Sequence, residues 1–299
     1  MWLCAVFFAL VVPANELTPA ERAAGWSLLF DGTTWANWTL GKGARSTWWQ
    51  IEDGWMRSVP VGRSAEGRRL TTVESFQDFE LSFVWKIDKE ANSGVKYRIQ
   101  GAWQLQPKDL ETGAATRIPP TLDNLRRATA LGFEYQLADD ENTPDALESP
   151  ARSSAALYRL VAPRKAGPVK AGAVHMSRIK VMGSRFEHWL DGVLVAEGDL
   201  ASEAMRAVLR ENRAKGQEKF AEAGAVRQPR YDGLLERVTA EALLAFDVPA
   251  SPIDLQHHRS GVWFRAVKIR RLAGHSVAKS PSGGGSLRLR LQRRRLRAG

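Results

Sequence analysis

From Asp78 to Asp88 the apolar side chains Phe79, Leu81, Phe83, Trp85 and Ile87 fall on every second residue, with Glu80, Ser82 and Lys86 between them. Only an extended chain sends successive side chains to opposite faces, so the pattern predicts a strand with one face in a core. Ser93–Gln100 continues in the same style after an Asn92-Ser93-Gly94 turn, and Gly132–Ala138, Ser177–Met182 and Arg185–Leu190 read as further strands. Asp191-Gly192 suits the positive φ angles of a tight hairpin turn joining Leu190 to Val193–Ala196. Val262–Leu272 reads as a last strand, apolar on both faces. Short strands separated by turn residues predict a sandwich or barrel. Two stretches break the rhythm. Ala102–Ala130 is loop-like, and Ser202–Phe246, rich in Ala, Glu, Arg and Leu, predicts two helices appended to the sheets.

The net charge is +10, yet seven of those charges come from Lys279 and the six arginines between 288 and 297, in a stretch without a single acid. A nucleic-acid surface would spread its cations over folded elements. Ser280–Gly299 is Gly/Ser-led and has too little apolar surface to fold, so residues 276–299 read as a disordered basic tail, and a nucleic-acid partner is not expected. Residues 1–14 form an apolar run with small residues at its end, too short to span a bilayer and suited to a signal peptide. The expectation is a periplasmic or secreted bacterial protein with no transmembrane span. Cys4, the single cysteine, lies in that run, so the mature chain would have no disulfide, thiolate metal site or cysteine nucleophile.

Seven segments then occur in a recognisable order: Gly25-Trp-Ser-Leu-Leu-Phe-Asp-Gly32, Trp49-Gln-Ile-Glu-Asp-Gly54, Asn92-Ser-Gly-Val-Lys-Tyr-Arg98, Gly132-Phe-Glu-Tyr-Gln136, Ala156-Leu-Tyr158, Glu187-His-Trp-Leu-Asp-Gly192 and Leu255-Gln-His-His258. In that order they resemble the 3-keto-disaccharide hydrolase domain family, over 25–272. The resemblance implies a mainly β, concanavalin A-like jelly-roll sandwich, here with a helical insertion at 202–246, and action on sugars oxidised at carbon 3. It places His258 where the family has its histidine, with His257 replacing an acid.

On Gly132–Ala138, Glu134 and Gln136 share one face while Phe133, Tyr135 and Leu137 share the other. The aromatic face belongs to the core, so Glu134 and Gln136 line the concave outer face where a sugar could lie. Asp139 and Asp140 end that strand, and Lys96 and Arg98, alternating with Tyr97, can both face Glu134. Jelly-roll glucanases carry Glu, Asp and Glu on one strand. Here the middle acid is Gln136, whereas glycosidic displacement needs two carboxylates flanking the bond. A 3-keto sugar needs less: one base to take the acidified carbon-2 proton, a positive group for the enolate, and an acid for the leaving oxygen. Glu134 and His258 are the candidates for base and acid. Arg98, Lys96, Gln136, Asp139, Asp140, Tyr158, Gln256 and Trp263 are candidates for binding sugar, Trp263 by stacking. No cofactor is assigned, and a divalent metal is an open alternative: His258, Glu134 and Asp139 are ligands suited to one. Two rivals stand beside this enzyme: a lectin-like module that only binds carbohydrate, and a true glycosidase.

Overall fold

The computed structural model describes residues 15–39, 48–60, 69–164, 167–248, 250–258 and 260–273. The expected signal peptide and basic tail lie outside the described residues. The strands run β1 (Trp26–Leu28), β2 (Trp38–Thr39), β3 (Trp49–Glu52), β4 (Trp55–Ser58), β5 (Leu70–Thr72), β6 (Phe79–Ile87), β7 (Asn92–Trp103), β8 (Arg117–Ile118), β9 (Thr129–Ala138), β10 (His175–Met182), β11 (Arg185–Leu190), β12 (Val193–Asp199), β13 (Asp254–Leu255) and β14 (Val262–Arg271). They form two antiparallel sheets. The larger has the order β12-β11-β10-β6-β14-β4-β3, with β1 also on β14. The smaller has the order β2-β5-β13-β7-β8, with β9 also on β7.

The alternation in β6 does what its period demands. Phe79, Leu81, Phe83, Trp85 and Ile87 are all buried in one core with Val95, Tyr97, Phe133, Tyr135 and Leu137 of the smaller sheet. Phe83 meets Tyr135 edge-on at 5.8 Å between centroids, and Phe79 meets Tyr97 at 6.2 Å. Such edge-to-face pairs between large rings add to the gain from area burial. Polar tips inside this core are satisfied: the Tyr97 hydroxyl lies 2.9 Å from His188 Nε2, and Trp85 Nε1 donates to Ser177 Oγ at 2.8 Å. The Asp191-Gly192 turn has φ of 48° and 81°, the two left-handed residues a tight hairpin needs.

Two local readings need correction. Asn92-Ser93-Gly94 is the start of β7 and not a turn; the chain reverses before it, at Glu90, whose φ is 58°. Ala102–Ala130 holds short helices at Pro107–Thr112 and Leu122–Leu125, strand β8 and the first residues of β9. The insertion forms helices at Glu203–Glu222 and Arg227–Leu244. Phe220, Leu234, Val238 and Ala242 of this pair pack with Trp103 and Leu131. Leu131 shares its β9 face with Phe133 and Tyr135, so the helices extend the core beyond the end of the sandwich and leave the opposite face of β9 to other residues.

Candidate functional site

On the outer face of the smaller sheet, strand register puts four polar residues in one row. Thr71 of β5 pairs with Asp254 of β13, Asp254 with Lys96 of β7, and Lys96 with Glu134 of β9. Directly paired residues share a face with their β-carbons roughly 5 Å apart. Lys96 Nζ lies 3.6 Å from Glu134 Oε2, with the two side chains 12% and 11% exposed, so the pair is nearly dehydrated yet open to a ligand. Lys96 also donates to the Ala130 carbonyl at 3.0 Å. Asp254 is fully buried; its Oδ1 accepts from the Thr71 hydroxyl at 3.0 Å, and Arg69 Nε is 3.9 Å from its Oδ2.

The next row is Gln256, Gly94 and Gln136: the Gln256 amide donates to the Gly94 carbonyl at 2.9 Å, and Gly94 pairs with Gln136. Glycine is required at 94 because a Cβ there would collide with the Glu134 carboxylate, which leans across this position. In that position Glu134 accepts from the Gln256 side chain. Turned to satisfy its neighbours, the Gln136 amide nitrogen donates to Glu134 Oε1 at 3.1 Å and to the Ser93 carbonyl at 3.0 Å. Gln256 Oε1 lies 2.6 Å from His258 Nε2. Gln256 therefore links His258 to Glu134: its oxygen accepts a hydrogen bond from His258 Nε2–H, its nitrogen donates one to Glu134, and His258 Nδ1 is left as the basic atom. Behind them the Tyr158 amide donates to the Glu134 carbonyl at 2.9 Å, and its hydroxyl donates to Asp145 Oδ2 at 2.7 Å.

Burial pushes the Glu134 carboxyl above its ordinary range, against the opposing pull of Lys96 and the Gln256 hydrogen bond, while Asp145 and Asp254 add to the rise. Asp254 is raised for the same first reason, against the pull of Arg69 and Lys96. Burial pulls Lys96 down, with Glu134 and Asp254 resisting and Arg69 assisting. His258 falls to about 4, through desolvation first and then the charges of Lys96 and Arg69. His258 is exposed, so the direction of this shift rests on the two cations, which keep the ring neutral at pH 7. Dehydration thus narrows the gap between acid and base across this row against the opposing pull of the unlike charges, and a narrowed gap is the condition under which protons move readily at neutral pH.

Of the residues expected here, Glu134, Lys96, Gln136, Gln256, His258 and Tyr158 are brought together. Four are not. Arg98 does not face Glu134: a bulge between Tyr97 and Gly101 gives it a φ of 48° and turns it away, to Asp78 Oδ1 and the Gly183 carbonyl, each at 2.7 Å. Asp139 accepts from the Glu90 amide and the Asn142 side chain, and Asp140 from the Ser154 and Val169 amides, so both hold loops at the end of β9. Trp263 follows the His pair in sequence but lies on the other sheet, between Arg57 and Lys86. With Asp139 elsewhere, the trio His258, Glu134 and Asp139 does not converge, and among the described residues no three His, Cys, Asp or Glu gather into a metal-binding group. Sequence reading missed Asp254, Arg69 and Asp145. Asp254 had a signal: it stands two residues before Gln256, on the same face of an extended chain.

The 28% identity to the 3-keto-disaccharide hydrolase of Bacteroides thetaiotaomicron extends over 280 residues, 90% of this chain and 87% of that protein. Two crystal structures of candidate glycosyl hydrolases from Parabacteroides distasonis share the fold. One has a TM-score of 0.61 at 24% identity and covers 87% of this chain and all of that one. The other has a TM-score of 0.50 at 22% identity and covers 83% and 99%. Residues 25–270, which contain both sheets and the whole Glu134 row, match the family model of the 3-keto-alpha-glucoside-1,2-lyase-like domain, and the chain belongs to that family.

Proposed function

We propose that the protein is an exported bacterial enzyme that cleaves the glycosidic bond of 3-keto-glycosides by elimination and rehydration. The observation that carries this reading is the dehydrated Lys96–Glu134 pair on an open sheet face, with Glu134 held by two amide donors. A binding module has no use for a buried carboxylate with its affinity for protons raised, whereas a base does. A 3-keto group acidifies the carbon-2 proton. Glu134 takes that proton, Lys96 is placed to meet the charge that builds at carbon 3, and the oxygen on carbon 1 departs. His258, neutral and in contact with Gln256, serves the leaving oxygen or the incoming water. Water then adds at carbon 1 and the overall result is hydrolysis, the activity named for the Bacteroides relative. A second carboxylate suitably placed for direct displacement is missing from β9, where Gln136 stands.

The test is turnover of a 3-keto-glucoside in deuterated water. Elimination makes carbon 2 trigonal, so the product should carry solvent deuterium there. Glu134→Gln should lower kcat by roughly 100- to 10,000-fold, as expected when a general base is lost. Product free of deuterium at carbon 2 would instead assign displacement at carbon 1. Undiminished sugar binding without any turnover would assign a lectin-like module.

A further inference from the structure

Lys96 has neighbours that an ordinary charge-pairing lysine does not need. It is in register with a carboxylate on each side, Glu134 on β9 and Asp254 on β13, and all three side chains are buried or nearly so. The groups facing it are those two acids, Arg69, the Ala130 carbonyl and, through Gln256, His258. If the ammonium gives a proton to either acid, two buried charges become neutral groups, an exchange that a dehydrated site favours and water opposes. Burial accordingly pulls Lys96 down while pushing both acids up. The result is an amine and two carboxyl groups in one row, of which Lys96 and Glu134 keep some exposure.

We propose that Lys96 is a catalytic nucleophile that forms an iminium with the carbon-3 ketone of the substrate. This rests on the 3-keto-glycoside reading and deepens it. The Lys96 nitrogen adds to carbon 3, and the ketone oxygen takes the proton that the ammonium passed to Glu134, which leaves Glu134 a carboxylate. The carbinolamine loses water and becomes a C=N bond bearing the positive charge. Glu134 removes the proton on carbon 2, whose electron pair forms the carbon 2–carbon 3 double bond of an enamine. The nitrogen lone pair restores the iminium as electrons shift to carbon 1–carbon 2 and expel the glycosidic oxygen, which takes up the proton that Glu134 collected. Water adds at carbon 1, carbon 2 regains a proton, and hydrolysis of the iminium returns the keto sugar and the free amine. One water is consumed overall and nothing is oxidised or reduced. Schiff bases of desolvated lysines with carbonyl substrates are an established route to carbanion chemistry.

Reduction with cyanoborohydride in the presence of a 3-keto-glucoside tests this on the full chain. The expected result is a stable secondary amine at Lys96, found by intact mass and peptide mapping. It should be absent with the unoxidised glucoside and absent in Lys96→Arg. That variant keeps the charge opposite Glu134 but cannot form an iminium, so its kcat should fall at least about 100-fold while its melting temperature stays near that of the wild type. Carbon-2 deuterium incorporation is followed in parallel. Deuterium uptake and turnover with no adduct, and a Lys96→Arg rate within about tenfold of wild type, would overturn the iminium and leave elimination standing. An adduct at Lys96 without cleavage would support the iminium and remove the hydrolase reading. The absence of adduct, exchange and cleavage would remove both.

Discussion

Glu134 can act only because residue 94 has no side chain. A β-carbon at Gly94 would enter the space of the Glu134 carboxylate and push it off Gln256 and Lys96. Gly94→Ala is therefore expected to lower kcat by roughly 10- to 100-fold, a partial version of losing the base, while the fold survives because only the end of a flexible side chain must move. Steady-state kinetics beside a melting curve checks this; equal losses in both would mean that the sheet itself was damaged. Glu134 also makes a prediction about stability. Its carboxyl titrates above the ordinary value of 4.5 in the folded state, so above 4.5 the folded chain holds a proton that the unfolded chain has released. Stability from this group is full below 4.5 and is lost as pH rises through the folded value. Glu134→Gln should raise the melting temperature at pH 7 to 8 and lose that advantage near pH 4. An advantage that did not shrink on acidification would place its origin elsewhere. At this scale much was legible. Alternation assigned Glu134, Gln136 and Lys96 to one face, and the ordered motifs brought Gln256 and His258. Arg98 was misplaced because one bulge and one positive φ reverse the parity that alternation relies on, and no residue type announces such a bulge. Trp263 was misplaced because the turn at Ser260 carries the chain from the smaller sheet to the larger, and sequence neighbours then face opposite sides of the molecule.

The strands were easier to read than their partners. β6 is unmistakable from its period, but nothing in its residues says that it lies between β10 and β14, nearly a hundred and two hundred positions away. Those pairings depend on the whole core, and His188 of β11 shows what they enclose. Its Nε2 accepts from the Tyr97 hydroxyl of the opposite sheet, and its Nδ1 donates to the Ala155 carbonyl at 3.0 Å. Burial holds the ring down to about 3. Between 3 and 6.5 the unfolded chain binds a proton that the folded chain does not, so stability is full above 6.5 and falls as pH drops. About 2 kcal/mol should be lost from this group by pH 5. Denaturant unfolding of His188→Gln should show that much less pH dependence between 7 and 5; an unchanged slope would mean that the ring reaches water. The helical pair has its own weak point. Gly216 and Gly233 let the two backbones touch, and a β-carbon at 216 would lie 2.6 Å from the Arg237 amide nitrogen and 2.7 Å from the Gly233 carbonyl. Gly216→Ala should cost about 1–3 kcal/mol of unfolding free energy, as overpacking does. A neutral result would show that the helices can separate slightly without loss.

At the scale of the whole molecule, the sandwich is closed at one corner by a residue that alternation could not single out. The Asn15 side chain donates from Nδ2 to the Gly54 carbonyl at 2.8 Å, and its Oδ1 accepts from the Ala266 amide at 2.7 Å. Ala266 needs that acceptor. It sits with a φ of 47° in the bulge between Arg265 and Lys268, where β14 does not pair with β6, so its buried amide would otherwise have no strand partner. An amide left without its acceptor costs roughly 1–3 kcal/mol. The apolar segment 1–14 ends immediately before this tie, so cleavage there would release a chain whose first residue is anchored on the β3–β4 turn and on β14. We therefore expect a protein produced as residues 15–275 to melt at the temperature of the full-length chain and to turn over a 3-keto-glucoside at the same kcat. Asn15→Ala in that truncated chain should melt lower by an amount corresponding to the lost acceptor. The measurement separates the possibilities at once. If the truncated chain melts several degrees below the full-length chain, one of the removed segments packs on the sheets. If the two agree and Asn15→Ala is neutral, the bulge at Ala266 finds another acceptor and the corner is not held by Asn15.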